Sequence, residues 1–416
     1  MTEHCLKSIS PDGITGMIFA MEGLKDSIVL LNGPMGCRFY HSSTSGFLAV
    51  RPLLYLPEKK GGERVPVDYN YLNDWFFRQE RVPCTYLDGY DYVYGTKEKV
   101  QEALCFIREN IDFRILAIIN SPGAALIGDH LLELARELLG EDRVVMLESP
   151  GYSISFEEGY SIAACTLLSQ IGSRLWEKSA SVSTARKSVN LLGISIWNRY
   201  CEGDIKELCH LFDLCGIDVH TVLCAGTDLS ELESIYQADL NVVLCPEMGF
   251  GAAQYLKEQL HMPYYVCELL PIGFSATEKM FADICGLLGT SDKPVKEVSE
   301  RARAPAWKKL DGIYQMYGKP KGVTFCIVAN PSQEKAYEAF LTQYLGMEKA
   351  DADSAELVFS NANIISELKL SNKQFCGIEI AFPGMGYVDL TVKTHYGIKG
   401  ALFLIEQVLN GMMSKL

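Results

Sequence analysis

The chain has 416 residues, of which 48% are hydrophobic and 22% charged, so it is long enough for two or three globular domains. Its 38 Lys and Arg against 52 Asp and Glu give a net charge of −14, which disfavours nucleic acid or an anionic membrane as a partner. No run approaches 18 apolar residues, and the 14 cysteines follow no basic and apolar leader, which predicts a reducing, cytoplasmic compartment.

Short apolar, β-branched runs alternate with segments of helical period along the N-terminal part of the chain. This pattern is typical of parallel βα units. The predicted elements are strand 27–31, helix 98–110, strand 115–120, helix 131–139, strand 144–147 and helix 158–178. A small, polar segment at 179–188 separates this block from the next one.

Two further blocks repeat the pattern. The second contains strands 189–196, 218–223, 240–244 and 264–266 with helices 204–215, 229–237 and 252–260. The third contains strands 323–328, 356–359 and 377–382 with helices 333–345 and 398–413. We therefore predict an α/β fold of three Rossmann-like domains with parallel sheets flanked by helices, bounded at 1–185, 186–290 and 291–416.

A basic segment opens the third domain. Residues 293–321 carry eight Lys or Arg against three acids, so this segment has a charge of +5 while the rest of the chain has −19. The segment is either a solvated linker helix or a surface that faces an anion or a partner protein.

Ten of the 14 cysteines fall into two groups, and no C-x-x-C or P-loop motif occurs. Without a P-loop, any ATP must be handled by a partner, and without C-x-x-C a metal cluster must take its ligands from distant loops. Apolar periodic segments, where a core position is expected, contain Cys105, Cys165, Cys209, Cys215, Cys285 and Cys326. Turns or strand ends, where ligands bind in open α/β sheets, contain Cys5, Cys37, Cys84 and Cys245.

Several passages, in chain order, resemble the component 1 family of nitrogenases and nitrogenase-like reductases. The turn Asn32-Gly33-Pro34-Met35-Gly36 followed by Cys37 is similar to the turn that carries the second cluster cysteine of the family, and Cys5 is similar to the first. The other similar passages are 91–100, 118–131 with its Leu126-Ile127-Gly128-Asp129, 149–159 and 238–263.

The resemblance implies pairing with a like or identical subunit, as a dimer or heterotetramer, and an iron–sulfur cluster of [4Fe-4S] type, or a larger one, near that interface. It also implies electron transfer from a separate P-loop ATPase iron protein, with no nucleotide bound by this chain. Cys5 and Cys37 would be cluster ligands, and a fourth thiolate would come from the facing subunit.

The chain departs from the family pattern at two places, Ser121 and the C-terminal histidine position, and matches it at Cys245. Ser121 stands where the third cluster cysteine is expected, so Cys84 is our candidate substitute, with an ordinary loop thiol as the alternative. Cys245 falls where catalytic nitrogenase subunits anchor a large iron–sulfur cofactor, and it could bind a second cluster, line a substrate pocket or only end a strand. The matching C-terminal histidine is missing at 386–387, and only His395 follows, so dinitrogen reduction by the usual cofactor is not predicted.

We therefore predict an iron–sulfur oxidoreductase subunit that passes electrons to an unidentified substrate, either a small sulfur- or carbon-containing molecule or a tetrapyrrole. Two alternatives remain open. One is a scaffold on which a metal cluster is assembled and handed on, and the other is a metal-free binding protein that has kept only the fold. The sequence assigns no catalytic residue.

Overall fold

The computed structural model describes residues 11–38, 82–148, 154–177, 186–370, 374–382, 384 and 389–413. Cys5 and the passage 149–153 lie outside these described residues. The chain divides into two units. The first contains the described residues of Pro11–Ala180 and Leu223–Tyr236, and the second those of Ser181–Val222 and Gln237–Leu416.

The helices and strands are numbered along the described residues. The helices are α1 (Gly13–Glu22), α2 (Asp91–Tyr94), α3 (Lys97–Asn110), α4 (Pro122–Ile127), α5 (Leu131–Leu139), α6 (Phe156–Glu177), α7 (Cys201–Leu214), α8 (Leu229–Glu233), α9 (Pro246–Leu260), α10 (Phe274–Leu288), α11 (Lys293–Tyr317), α12 (Pro331–Gln343), α13 (Ala362–Leu370) and α14 (Gly397–Met413). The strands are β1 (Ser27–Asn32), β2 (Ile115–Asn120), β3 (Val144–Glu148), β4 (Lys187–Leu192), β5 (Ile217–Val222), β6 (Leu240–Val243), β7 (Tyr264–Val266), β8 (Thr324–Ile327), β9 (Glu348–Lys349), β10 (Leu357–Asn361) and β11 (Cys376–Ala381).

The first unit is built on a parallel sheet of order β1-β2-β3. Every residue of β1 and β2 is buried, which is expected for parallel strands covered by helices on both faces. On one face α3 contributes Val100, Leu104 and Ile107, which are spaced by three and four residues and pack with residues of α5 and the sheet. The sheet therefore fixes the position of the turns that follow β1 and β2.

The sequence pattern does not predict helix α1, and the burial of this helix explains why. All ten of its residues are buried, so its apolar residues show no one-sided helical period. It packs closely against α6, where a Cβ added at Gly16 would lie 1.9 Å from the carbonyl oxygen of Phe156. Glycine at this crossing lets the two backbones approach each other.

The second unit contains two parallel four-stranded sheets, of orders β5-β4-β6-β7 and β11-β10-β8-β9. The predicted fold class, parallel sheets flanked by helices, is confirmed. The domain boundaries at 185 and 290 stay a prediction. The apolar run predicts a strand up to residue 196, but β4 ends at Leu192, because Gly193 has a φ of +78° and turns the chain towards Cys245.

The basic segment forms one helix of 25 residues, α11, with Pro305 inside it. Trp307, Tyr314, Met316 and Tyr317 are exposed on its second half. Among the residues that the structure describes, no helix is both long enough and apolar enough to cross a lipid bilayer.

Candidate functional site

Two of the predicted ligands and Ser121 surround the turn that follows β1. The Cys84 thiol donates a hydrogen bond to the carbonyl oxygen of Gly33, with a sulfur–oxygen distance of 3.1 Å. A Cβ added at Gly33 would lie 2.9 Å from Ser121 Oγ and 4.0 Å from Cys37 Sγ. Glycine is therefore required at this position, and it brings the three side chains around one short piece of backbone.

The local backbone explains how each thiol reaches this turn. Cys37 lies in a single 3-10 turn, Met35–Arg38, directly after the carboxyl end of β1. Cys84 lies beside β1, because the N–H of Leu31 donates to Pro83 O (2.9 Å) and the N–H of Thr85 donates to Leu31 O (3.0 Å). Both thiols thus stand at the edge of a parallel sheet where ligands bind in such folds.

Cys84 also accepts a hydrogen bond from the backbone. The N–H of Tyr86 points at its sulfur with a nitrogen–sulfur distance of 3.5 Å. Tyr86 has a φ of +53°, an uncommon value for a residue other than glycine. N–H donors to a thiolate sulfur are among the contacts that tune the potential of an iron–sulfur cluster, so the backbone around Cys84 suits a ligand.

Ser121 has a structural role at this place. It is the N-cap of α4, and its Oγ accepts a hydrogen bond from the N–H of Ala124 at 3.3 Å. Serine is a favoured N-cap residue because its oxygen satisfies an N–H that has no partner within the helix. The position at which the resemblance leads us to expect a third cysteine therefore holds a helix cap.

A buried network of amide and hydroxyl side chains lies behind the turn. Asn32 Nδ2 donates to Asn120 Oδ1 (3.0 Å) and to Thr96 Oγ1 (3.2 Å). The Thr85 hydroxyl donates to Asn32 Oδ1 (2.9 Å) and accepts from the N–H of Gly33 (3.1 Å). Thr85 therefore joins the segment that carries Cys84 to the turn that carries Cys37.

Sequence reasoning missed this network, although a signal is present. Asn32 and Asn120 end two otherwise apolar strands, and they are direct partners in the parallel register of β1 and β2. A polar residue at matched ends of two buried strands predicts a hydrogen-bonded pair at the sheet edge. Two of the passages that resemble the family also meet here, because Thr96 donates to the carboxylate of Asp129.

The described residues bring two thiols to one turn, and these two could serve as cluster ligands. Thiolates are the ligands of iron–sulfur clusters, so Cys37 and Cys84 have suitable chemistry. Across the described part of the chain, no group of three or more His, Cys, Asp or Glu side chains is placed to hold one metal ion. Further ligands could come from residues that are not described, Cys5 among them, or from another subunit.

Cys245 lies in the second unit at the carboxyl end of β6, where it caps α9, and it is buried. Its thiol donates to Glu247 Oε2 at 3.0 Å. The same carboxylate accepts from the N–H of Ser332 (3.1 Å) and from its hydroxyl (2.6 Å) at the start of α12. Burial raises the pKa of Glu247, but the hydrogen bonds from Ser332 and Cys245 outweigh burial and lower the pKa overall.

A cavity of ≈ 190 Å³ lies next to this group, and Glu247, Ser332, Cys267 and Lys335 are among the residues that line it. The carboxylate of Glu247 thus lines a small pocket, and the Cys245 thiol is bonded to that carboxylate without lining the pocket itself. Metal binding by Cys245 would require its hydrogen bond to Glu247 to be broken.

His395 does not offer a ligand nitrogen in this structure. It is buried, and its Nδ1 and Nε2 lie 2.6 Å from the Tyr337 hydroxyl and 2.6 Å from Gln407 Oε1. Burial lowers the pKa of His395 to about 4, so the ring is neutral. Because Gln407 Oε1 can only accept, Nε2 carries the proton and Nδ1 accepts from Tyr337. Both ring nitrogens are engaged within the protein.

Asp204 is another buried titratable group, and sequence reasoning missed it. Burial raises its pKa to about 7, against the opposing effect of hydrogen bonds from Thr394 and from the N–H groups of His395 and Tyr396. Asp204 stands in the first turn of α7 and fixes the segment that leads into α14. Its place is structural, next to His395.

The fold and the site together define an α/β protein of parallel sheets with two thiols, Cys37 and Cys84, beside the turn that follows its first strand. A family model for nitrogenase component 1 type oxidoreductases matches residues 13–352, and the chain belongs to this family.

Curated relatives include one subunit of the light-independent protochlorophyllide reductase of Synechococcus sp. (strain RCC307). It is 30% identical over an alignment of 253 residues, and the match covers 57% of this chain and 46% of the relative. The corresponding protein of Bradyrhizobium sp. (strain ORS 278) is 29% identical over an alignment of 280 residues, and the match covers 65% of this chain and 52% of that protein. The chain thus spans about half the length of these relatives.

The solved structure "Nitrogenase Cp1 at pH 6.5" matches with a TM-score of 0.70 and 16% sequence identity. The match covers 96% of this chain and 92% of that one. At this identity the likeness shows a shared fold.

Proposed function

We propose that the chain is a subunit of an iron–sulfur oxidoreductase that receives electrons from a separate ATP-hydrolysing iron protein and passes them through a cluster to a substrate. The observation that carries this proposal is the approach of Cys37 and Cys84 to the same glycine turn at the edge of the first sheet. Family membership supports it, because the family is one of oxidoreductases.

The cluster that we propose is of [4Fe-4S] type, held by Cys37, Cys84 and Cys5, with a fourth ligand from a facing like subunit. When bound, it would supply one-electron transfer at low potential. The protein holds both described thiols on hydrogen-bonded backbone: Cys37 on its 3-10 turn, where its N–H donates to Pro34 O (3.2 Å), and Cys84 on the segment paired with Leu31 of β1. Thiols held in this way favour a constant cluster geometry between redox states.

The substrate that we propose to test first is a tetrapyrrole, since the curated relatives are named for protochlorophyllide. The pocket beside Cys245 and Glu247 is a second candidate binding region, and Cys245 remains our candidate for a second cluster ligand. A cytoplasmic location is also part of the proposal, because cysteine-ligated clusters persist in reducing, oxygen-poor surroundings.

The first experiment is purification of the full chain without oxygen, followed by iron and acid-labile sulfide analysis. We expect a coloured protein with iron and sulfide in equal amounts, and loss of most of both in Cys37→Ala. Cys105→Ala, which removes a half-buried thiol from α3 in the same unit, is the matched control and should keep its iron. A colourless wild-type protein, with Cys37→Ala equally stable, would favour the metal-free alternative.

A second experiment separates a reductase from an assembly scaffold. The chain is combined with a like subunit, an ATPase iron protein, ATP and protochlorophyllide, and product formation is followed over many turnovers. Sustained reduction that stops when ATP is omitted supports the proposal. Transfer of the cluster to an acceptor protein without any reduction would contradict it and support a scaffold.

A further inference from the structure

A chain of four hydrogen bonds runs within the first unit from the Gly33 turn to the carboxylate of Asp129. The N–H of Gly33 donates to Thr85 Oγ1 (3.1 Å), and the Thr85 hydroxyl donates to Asn32 Oδ1 (2.9 Å). Asn32 Nδ2 donates to Thr96 Oγ1 (3.2 Å), and the Thr96 hydroxyl donates to Asp129 Oδ2 (2.9 Å). All the donors therefore point the same way, from the turn towards the carboxylate.

The two ends of the chain fix its direction. A backbone N–H can only donate, and an ionised carboxylate can only accept. Because Asp129 only accepts, the Thr96 hydroxyl must donate to it, and the hydroxyl oxygen then accepts from the amide group of Asn32. The amide oxygen of Asn32 is thereby turned to the Thr85 hydroxyl. Hydrogen bonds that point the same way polarise and strengthen one another, so the charge at one end acts on the N–H at the other.

The backbone before α3 is arranged around the Asp129 carboxylate. Thr96 is the buried N-cap of α3, yet its side chain makes no cap hydrogen bond to that helix, although threonine at an N-cap ordinarily does so. Its hydroxyl and its backbone N–H (2.5 Å) both donate to Asp129 Oδ2. Gly95 has a φ of +103°, and a Cβ added there would lie 3.3 Å from Asp129 Oδ1. Thr96 therefore serves the chain and not its own helix.

Gly33 connects this chain to the thiols. Its N–H is the first donor of the chain, and its carbonyl oxygen accepts from the Cys84 thiol (3.1 Å) and from the N–H of Leu87 (3.1 Å). We propose that Asp129 is a positioning residue of the cluster site, whose negative charge sets the direction of the chain and through it holds the Gly33 turn beside Cys37 and Cys84. This inference rests on the proposed function, because these thiols are the proposed cluster ligands.

The first test observes the Gly33 N–H directly in the iron-free, full-length protein. The sequence contains two Asn-Gly pairs, Asn32-Gly33 and Asn410-Gly411. Asparagine labelled with carbon-13 at its carbonyl, together with nitrogen-15 glycine, therefore leaves two amide signals in a carbonyl-filtered NMR spectrum. Asn410→Gln removes the second signal and so identifies the first. In the other variants the Gly411 signal, which comes from the second unit, is the internal control.

Two variants separate the charge from the chain. Asp129→Asn removes the charge and keeps an oxygen that can accept, whereas Thr96→Val keeps the charge and interrupts the chain. We expect the Gly33 proton signal to move upfield in both variants, because its hydrogen bond weakens, while Gly411 does not move. Thr96→Ser keeps the hydroxyl and should retain the wild-type signal. A Gly33 signal that moves in neither variant, or in Asp129→Asn alone, would overturn the role of the chain.

The second test measures the midpoint potential of the cluster in the iron-bearing protein by a redox titration followed by electron paramagnetic resonance. We expect a higher potential in Asp129→Asn, because a negative charge near the site opposes the added electron. Glu133→Gln removes an exposed carboxylate from α5 and should leave the potential unchanged. Equal potentials in wild type and Asp129→Asn would overturn the proposal. Wild-type protein that never carries iron would instead contradict the proposed function, and the Gly33 signal would then decide on the chain by itself.

Discussion

The Cys84 thiol donates a hydrogen bond to the carbonyl oxygen of Gly33 at 3.1 Å. Cys84, our candidate substitute ligand, therefore contacts the turn that leads to Cys37. Cys84 and Cys37 are 47 residues apart in sequence, and this separation does not predict that they lie close together. Their approach follows from the pairing of the Cys84 segment with β1. This relationship underlies the predictions on the first unit.

Gly33→Ala should damage both the fold and the cluster site. The added Cβ would lie 2.8 Å from Ser121 Cβ, which is closer than carbon atoms can pack, so the turn must move away from α4. We expect a loss of about 1–3 kcal/mol in the free energy of unfolding. Iron content should fall with it.

The matched control is Gly36→Ala in the same turn. Among the described residues, a Cβ added at Gly36 has no neighbour within 4 Å, so the stability and iron content of this variant should remain near those of the wild type. Equal losses in both variants would show that the crowding at Gly33 is not the cause. Urea unfolding and iron analysis on the same preparations measure both effects.

Thr85→Val should weaken the site with little change in shape. The variant removes the hydroxyl that donates to Asn32 Oδ1 and accepts from the N–H of Gly33. Because both partners are buried and lose a hydrogen bond, we expect a cost of about 1–3 kcal/mol in unfolding free energy. Thr85→Ser keeps the hydroxyl and should cost less, and a serine variant as unstable as the valine variant would contradict the role of this hydrogen bond.

Asp204→Asn should flatten the pH dependence of stability. The folded-state pKa of about 7 lies above the value near 3.8 of an unperturbed aspartate, so the folded protein binds the proton more tightly than the unfolded chain. Asp204 therefore makes stability fall as pH rises from about 4 to about 7. Asparagine retains an oxygen that can accept from Thr394 and from the N–H groups of His395 and Tyr396.

Melting temperatures of wild type and Asp204→Asn across this pH range test the prediction. We expect the variant to gain stability relative to the wild type as pH rises through the range. A constant difference between the two proteins at every pH would show that Asp204 does not titrate there.

Ser121→Cys should place a third thiol beside the turn that Cys37 and Cys84 approach. Ser121 Oγ lies next to Gly33, 2.9 Å from the position of a Cβ added to that glycine. In a Cys84→Ala background we expect Ser121→Cys to recover a large part of the lost iron. The N-cap bond to Ala124 would be weakened, so stability should fall by about 1 kcal/mol while iron rises. Iron that stays at background in the double variant would show that this position cannot supply a ligand.

The sequence is most informative where strands are apolar and bounded by turns. Strand β2 is predicted as residues 115–120, as observed, because its apolar run ends at a polar residue and a Ser-Pro-Gly turn. Helix α9 is predicted to begin only at residue 252, although it begins at Pro246. Gly249 and Gly251 lower the helix propensity there, and a Cβ added at Gly249 would lie 2.8 Å from the nitrogen of Gly193, so tertiary contact requires the glycine.

The site is harder to predict than the fold because it depends on contacts between distant segments. The pattern indicates Cys37 and Cys84, but it cannot reveal the hydrogen bond of Cys84 to Gly33 or the N-cap role of Ser121. It also leaves the protonation state of His395 open, because the neutral ring depends on burial and on hydrogen bonds with Tyr337 and Gln407. Local propensity carries no information about such neighbours.

The most direct test of the central claim is the iron and sulfide content of Cys84→Ala, measured beside wild type, Cys37→Ala and Ser121→Ala after anaerobic purification. If Cys37 and Cys84 hold one cluster together, both cysteine variants should fall to background, while Ser121→Ala, which loses only a helix cap, should keep its iron. Wild-type iron in Cys84→Ala, with loss in Cys37→Ala, would contradict the assignment of Cys84 as a ligand.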